Sequence, residues 1–426
     1  MLKEISKNIL TLIFGNLTKK IIEKHNVKIV AVTGSVGKTS TKLAIAQVLS
    51  EKYKVGFQKG NYNTLLSVPF IFLEQSQPNP FEIAKWIKAY LGGRRILKQT
   101  TYYDVVVVEL GADRPGDIVA FNKYLHPEVS VVTAVSPEHM AHFKTIEAVA
   151  AEELSVSSFS KNVILNSDDI KSQFIAKYIS GTKYLTYGLT LDANYSGTYK
   201  ILNNEMEVTI KNAGNSFISQ TAVFGAPFAK AITAAVAVSD QMGLSNDEIE
   251  AGIKKIMPNP GRMNILKGIN KSIIIDDTYN SSPLAVKAAL EVLNNLKAPQ
   301  KIVVLGMMNE LGESSKKEHE IMGELCTTES IDLVITLGEH ANFYTAPVAA
   351  ANGCKVIETS APQAAARAVK ENLKDNGIVL VKGSQNGVYA EEVVKKLLLN
   401  SEDEINLVRQ SNYWMKIKIK QFGDNL

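Results

Sequence analysis

The chain has 426 residues, 45% of them hydrophobic and 21% charged, with a formal net charge of +4. That length exceeds a single hydrophobic core and predicts two or three domains of an ordinary globular protein. The charge is too small to argue for a nucleic-acid partner, and no run of 18 apolar residues offers a membrane span.

Residues 1–25 space Ile5, Ile9, Leu10, Leu12, Ile13 and Leu17 as an amphipathic helix, with Lys3, Lys7, Lys19, Lys20 and Lys24 around them. Two readings are open: a helix packed on the domain that follows, and contact with a membrane surface. An apolar strand, Ile29 to Val32, then runs into Gly34-Ser35-Val36-Gly37-Lys38-Thr39-Ser40, and a helical pattern follows. That is the layout of a phosphate-binding loop. Glycines let backbone N–H groups point inward, Lys38 reaches outer phosphates, Thr39 offers a hydroxyl to Mg²⁺, and the helix N-terminus adds partial positive charge. The common motif needs a glycine at position 32, where the chain has Val32. A plain strand–turn–helix is the competing reading.

Strands and helices alternate beyond this point. Val105–Leu110, Val129–Val135 and Asn162–Asn166 read as buried parallel strands. Tyr195–Ile201, Met206–Ile210 and Phe217–Val223 read as an antiparallel patch, and Ala229–Met242 and Asp247–Ile256 as helices. Pro258-Asn-Pro260-Gly261 breaks the chain and marks a domain boundary. The rhythm restarts with strands Ile273–Asp276, Lys301–Leu305, Leu333–Leu337 and Ile378–Val381. Helices Leu284–Leu296, Lys316–Cys326 and Ala390–Leu399, with one after Pro362, separate them and predict a second parallel sheet of about five strands. Residues 400–426 end in Trp414-Met-Lys-Ile-Lys-Ile-Lys420, a terminal strand or a docked tail. Cys326 and Cys354 lie far apart in a chain without a secretory signal, and read as free thiols in a reducing, cytoplasmic compartment.

Candidate chemistry gathers at strand ends. Glu109 closes a buried strand, so its carboxylate must be paired, protonated or bound to metal; beside a phosphate loop, Mg²⁺ is the economical partner. His139 and His142 follow another strand, as metal ligands or as ordinary loop histidines. Asp276-Asp277-Thr-Tyr-Asn280 ends a strand, where adjacent acids are costly unless they bind something or cap a turn. Lys382-Gly383-Ser384 ends another, and its lysine either meets an anion or is solvated.

Taken together these segments resemble the Mur ligases, ATP-dependent amide-forming enzymes of peptidoglycan precursor synthesis, and most of all the branch that adds D-alanyl-D-alanine. The matching stretches, in family order, are Thr33–Ser40, Lys59-Gly-Asn-Tyr-Asn63, Glu109–Ile118, Ser136–His139, Gly261-Arg262, Ile275–Pro283, Val304–Gly312 and Val381–Ser384. The resemblance implies an α/β fold: a P-loop-type central domain with a mostly parallel sheet, then a Rossmann-like C-terminal α/β domain. The expected division is a helix over 1–27, an ATP-binding central domain over 28–258, the second domain over 259–400 and a tail over 401–426.

It also implies that ATP phosphorylates a substrate carboxylate, and that an amine attacks the acyl-phosphate. Lys38 would sit on the outer phosphates with Gly34, Ser35, Gly37 and Ser40 around them. Thr39 and Glu109 would hold one Mg²⁺ and His139 a second; Asn280, Arg262 and Asp276 would bind ATP from the second domain; Asn63 would approach the reacting centre. Lys382 and Ser384 would serve the amine substrate. The implied partners are a nucleotide-sugar peptide and a dipeptide, on a monomer. Three departures stand out. Only 27 residues precede the first strand, where the family carries a domain that holds the UDP-sugar. The family's carbamylated lysine aligns with Ala151-Glu152-Glu153, so Glu153 or Glu152 either supplies that carboxylate or lies on a solvated helix face. Pro227-Phe228 replaces a His-Asn pair. The alternatives are a folylpolyglutamate-synthase-like ligase with another carboxylate, and a non-catalytic ATP-binding protein.

Overall fold

Val105–Glu109 is buried at every position, and Lys28–Thr33 at every position after its first. Strands buried on both faces need sheet neighbours on both edges and helices above and below. In the computed structural model, which describes residues 2–58, 62–179, 181, 183–202 and 205–423, these are inner strands of a nine-stranded sheet. Its strands are β1 Lys28–Thr33, β2 Val55–Phe57, β3 Val105–Glu109, β4 Val129–Val132, β5 Asn162–Asn166, β6 Tyr184–Gly188, β7 Tyr195–Leu202, β8 Glu205–Lys211 and β9 Ser216–Thr221, in the order β2-β3-β1-β4-β5-β6-β7-β8-β9. Pairing is parallel up to β7, then antiparallel from β7 to β9. The expected antiparallel patch is therefore the far end of the first sheet.

The second sheet has strands β10 Asn264–Lys267, β11 Ile273–Asp277, β12 Lys301–Gly306, β13 Leu333–Leu337, β14 Val356–Thr359 and β15 Ile378–Lys382, in the order β10-β11-β15-β12-β13-β14. Five are parallel, and β10 is an antiparallel edge. Its core is built from Ile274, Val304, Ile335, Val381 and the helix residues Ala365 and Val369. The chain divides into two compact units, residues 1–136 with 142–256, and residues 137–141 with 257–426.

Two terminal expectations need correction. The first helix spans Leu2–His25, but its buried stripe is Phe14, Leu17, Thr18 and Ile21, while Ile9, Leu12 and Ile13 are exposed. The side chain of Ile5 lies outside the described residues. A helix over Ile83–Ile96, not read from the sequence, decides which stripe is covered. Phe14 meets Phe70, at 5.0 Å, and Trp86, at 5.6 Å, which also meet each other at 5.6 Å. The C-terminal Trp-Met-Lys-Ile-Lys-Ile run is not a strand but part of a helix, Asn412–Phe422. Its alternation is misleading because Lys418 points inward, fully buried, onto Glu391 at 2.7 Å and Glu392 at 2.5 Å. Glu391 also receives Arg409 at 2.7 Å.

Replacing Phe14 with alanine removes one ring of this three-ring cluster. We expect a loss of about 3–5 kcal/mol in the stability of the first unit, read by urea unfolding.

Candidate active site

The site in the first unit follows from strand register. β1 lies between β3 and β4, all parallel, with Val32 opposite Glu109 and Thr33 opposite Val132. The loops after these strands therefore rise from one edge of the sheet, where open α/β folds bind ligands. Gly34 leaves β1 at φ +123°, and a Cβ there would meet Thr133 Oγ1 at 2.3 Å, so only glycine fits. Gly37, at φ +86°, turns the chain into helix Lys38–Leu49, which has no side-chain cap and no acid in its first turn. Such an end suits an anion. The Lys38 ammonium donates to the carbonyls of Gly34 and Ser35. The Ser35 hydroxyl staples the loop, donating to the Ser136 carbonyl and accepting from its N–H, both at 3.0 Å. Ser40 is half-buried beside it.

Glu109 is 3% exposed at the end of β3. Its Oε2 accepts from the Thr39 hydroxyl at 2.9 Å and from the Lys42 ammonium at 3.2 Å. Asn63 Nδ2 lies 3.5 Å from Oε1, and the Asn63 carbonyl accepts from the Gly111 N–H at 2.8 Å. Thr39, Asn63 and Glu109 thus come together as expected; Lys59, Gly60 and Asn61 lie outside the described residues. Lys42 was not anticipated. Its signal was its spacing, four residues after Lys38 and three after Thr39, which puts all three on one side of the helix.

Glu152 and Glu153 are both buried, which corrects the solvated-face reading. Helix Ile146–Leu154 aims them at different targets. Glu153 accepts from the Gly34 N–H at 2.7 Å and the Thr33 hydroxyl at 2.5 Å, so it grips the phosphate loop. Glu152 accepts from the N–H groups of Gly116 and Ile118, both at 2.6 Å, and holds the turn after β3. Among the described residues no three His, Cys, Asp or Glu side chains converge as a metal site. What the unit offers a cation is a carboxylate and a hydroxyl, Glu109 and Thr39. Hard oxygen donors of this kind, completed by substrate phosphates, fit Mg²⁺.

In the second unit, His139 adopts φ +50°, and its Nδ1 lies 2.9 Å from Glu310. Glu310 lies in the Val304–Gly312 stretch that carries the family resemblance. Three expected ligand contacts here turn out to face inward. Asp276 is fully buried; its oxygens accept from the Gly261 N–H at 2.9 Å and from the Thr278 N–H and hydroxyl. It clamps the turn that carries Arg262 and cannot itself reach a ligand. Lys382 is buried rather than solvated, paired with Asp277 at 2.8 Å and donating to the Asn280 carbonyl at 2.8 Å. Ser384, also buried, accepts from the Asn309 N–H at 3.1 Å, so its hydroxyl holds the 306–312 loop. The sequence shows that these residues end strands but not which way their side chains turn. Arg262 stacks its guanidinium 4.2 Å from the Tyr279 ring centroid.

Burial pushes the Asp276 carboxyl up to about 6 from an ordinary 3.8, against the Thr278 and Gly261 donors that pull it down. The native state therefore keeps this proton where the unfolded chain has released it. Its stabilising effect is complete below pH 3.8 and is lost as pH rises through about 6. We expect unfolding of the second unit to lose roughly 3 kcal/mol across that window, and Asp276→Asn to flatten the loss in urea titrations at stepped pH.

Comparison with known proteins agrees with this geometry. The Mur ligase middle domain family matches residues 32–239, and the Mur ligase glutamate ligase domain family matches residues 261–385. The UDP-N-acetylmuramoyl-tripeptide–D-alanyl-D-alanine ligase of Bacillus subtilis is 27% identical, over 90% of this chain and 78% of that protein. The Escherichia coli ligase of the same name is 26% identical, over 91% and 81%. Among solved structures, MurF ligase from Thermotoga maritima in complex with ADP superposes with a TM-score of 0.76 at 23% identity, covering 93% of this chain and 84% of that one. MurF from Acinetobacter baumannii gives 0.75 at 22% identity, covering 91% and 80%. With both catalytic-domain families matched in order and the fold shared, the chain belongs to the Mur ligases, a family of ATP-dependent, ADP-forming amide ligases.

Proposed function

We propose that this ligase joins D-alanyl-D-alanine to the terminal carboxylate of a UDP-N-acetylmuramoyl-peptide, as a monomer working in the cytoplasm on small-molecule substrates. The observation that carries the reading is the contact of Thr39 with the buried Glu109 at the uncapped start of helix Lys38–Leu49. The substrates follow from the names of the two relatives reported above.

In this reading Lys38 and the loop amides from Gly34 to Ser40 neutralise the outer phosphates of ATP. Thr39 and Glu109 would hold one Mg²⁺, which would screen the phosphate oxygens from an approaching carboxylate; the family resemblance assigns His139 to a second ion. Lys42 supplies the buried Glu109 with a counter-charge at 3.2 Å. Glu153 fixes Gly34, so that the loop meets the nucleotide already ordered. Asn63 stands by the carboxylate to be activated. Arg262 and Asn280 are assigned to the nucleotide on the family resemblance. Lys382 and Ser384 hold the turns on which the amine would be received. The carboxylate attacks the γ-phosphorus and the bond to ADP breaks; the amine then attacks the acyl-phosphate carbonyl and gives up a proton, the bond from that carbon to the phosphate oxygen breaks, and inorganic phosphate leaves.

The decisive experiment measures phosphate release from ATP with Mg²⁺, the tripeptide nucleotide and D-alanyl-D-alanine, omitting each substrate in turn. Release that needs both, with an amide product by mass, supports the assignment. Nucleotide binding without turnover would sink the assigned substrates, and arms with a folate-like carboxylate and glutamate would test the other ligase branch. A binding-only protein would turn over nothing in any arm. Glu153→Gln weakens a charge-assisted bond to the loop, so nucleotide affinity should fall about tenfold in equilibrium titration. Unchanged affinity would show that Glu153 is dispensable to the loop.

A further inference from the structure

Helices Leu2–His25 and Ile83–Ile96 lie in the same unit and pack on each other. Phe14 meets Trp86, and Gly93 has no room for a Cβ, because Leu17 Cδ2 would lie 2.6 Å from it. Each helix spends one apolar stripe on this packing, and each carries a second that is left outside. On the first helix the outer stripe is Ile9, Leu12 and Ile13, at i, i+3 and i+4. On the second it is Ile83, Ile87 and Leu91, at i, i+4 and i+8, exposed by 71%, 57% and 53%. Phe81, just before that helix, is 85% exposed. These seven side chains are more than a third of the twenty large apolar side chains exposed among the described residues. Scattered exposed leucines need no explanation, but two ordered stripes on neighbouring helices do.

Charge identifies what covers them. The two helices hold nine Lys and Arg and two Glu, whereas the whole chain is only +4, so the remainder is net acidic. In helix Ile83–Ile96 every charged residue is basic, and Lys85, Lys88, Arg94 and Arg95 are all exposed. A second copy of this face would bring like charges together. An anionic lipid surface answers both features: its headgroups attract the basic side chains, and its acyl boundary accepts isoleucine, leucine and phenylalanine. We propose that the face formed by these two helices docks on an anionic bilayer surface, without crossing it. No helix among the described residues is long and apolar enough to cross a membrane.

The test uses the full chain and sedimentation with vesicles of mixed phosphatidylglycerol and phosphatidylcholine, against phosphatidylcholine alone, at low and high salt. Partition should favour the anionic vesicles and weaken with salt. Arg94→Ser with Arg95→Ser should lower partition about fivefold per residue. Ile87→Ser with Leu91→Ser should lower it about tenfold while sparing the charge. All four residues are exposed, so the unfolding midpoint should not move. Absence of partition, equal partition onto neutral vesicles, or variants that bind as well as the parent would each overturn the proposal. So would a self-association, seen by analytical ultracentrifugation, that the Ile87 and Leu91 changes abolish, because the stripe would then belong to a second copy.

Discussion

A carboxylate at the end of a fully buried strand needs a counter-charge, and the phosphate-loop region is arranged around that need. Glu109 ends β3 at a depth where an unpaired charge would cost several kcal/mol. Lys42 supplies the charge, from a helix that must therefore lie across the end of β3. That helix begins at Lys38, directly after β1, so the connection must reverse within four residues. Only left-handed glycines make the reversal, which explains Gly34 and Gly37. The same helix brings Thr39 onto Glu109, and the pair becomes a ready set of hard oxygen donors. Glu153 then closes the back of the loop by accepting from Gly34. The ion pair, the glycines and the candidate cation ligands are consequences of one buried acid.

The second unit treats buried charge in the same way but to another end. Asp276, the Asp277–Lys382 pair and Ser384 are directed into the protein and hold turns. Buried ion pairs of this kind are weak sources of stability and strong sources of geometric definition, since each fails if its partner shifts. The residues left to face outward, Arg262 and the backbone around Asn280, owe their positions to these inward clamps. The Glu391, Glu392, Arg409 and Lys418 network does the same for the C-terminal helix, tying a basic segment to the end of the fold.

Much of this was legible in the sequence. Asn162–Asn166 and Leu333–Leu337 have the bounds that their apolar runs imply, because a strand buried on both faces leaves an unbroken run. The strand–glycine loop–helix pattern located Thr39 and, through strand order, Glu109. Other features depend on contacts that sequence spacing does not encode. Among the described residues the antiparallel patch joins the first sheet through two residue pairs, Tyr187 with Tyr195 and Gly188 with Ser196. Helix Ile83–Ile96 was missed because Gly92-Gly93 and Arg94-Arg95 look like a break. At Gly93 a Cβ would meet Leu73 Cδ2 at 2.4 Å and Leu17 Cδ2 at 2.6 Å, so the glycine sits at a close approach rather than at a break. An inward lysine such as Lys42 or Lys418 is written no differently from a solvated one.

The N-terminal helix carries the same lesson further. A helix with apolar stripes on opposite sides has contributions that cancel when summed around its axis, so it resembles a weakly amphipathic helix with scattered apolar residues. From the sequence, Ile9, Leu12 and Ile13 accordingly pool with Leu17 as one apolar set. The structure separates them and packs the stripe of Phe14 and Leu17, because Phe14 meets Phe70 and Trp86 and Leu17 lies against Gly93, a complementary set of rings and a gap. Aromatic stacking and close backbone approach are specific to shape, whereas a row of isoleucine and leucine is not. The shape-specific stripe went to the protein's own neighbours. The stripe left outside is the one suited to a fluid partner, which asks for area and charge rather than fit.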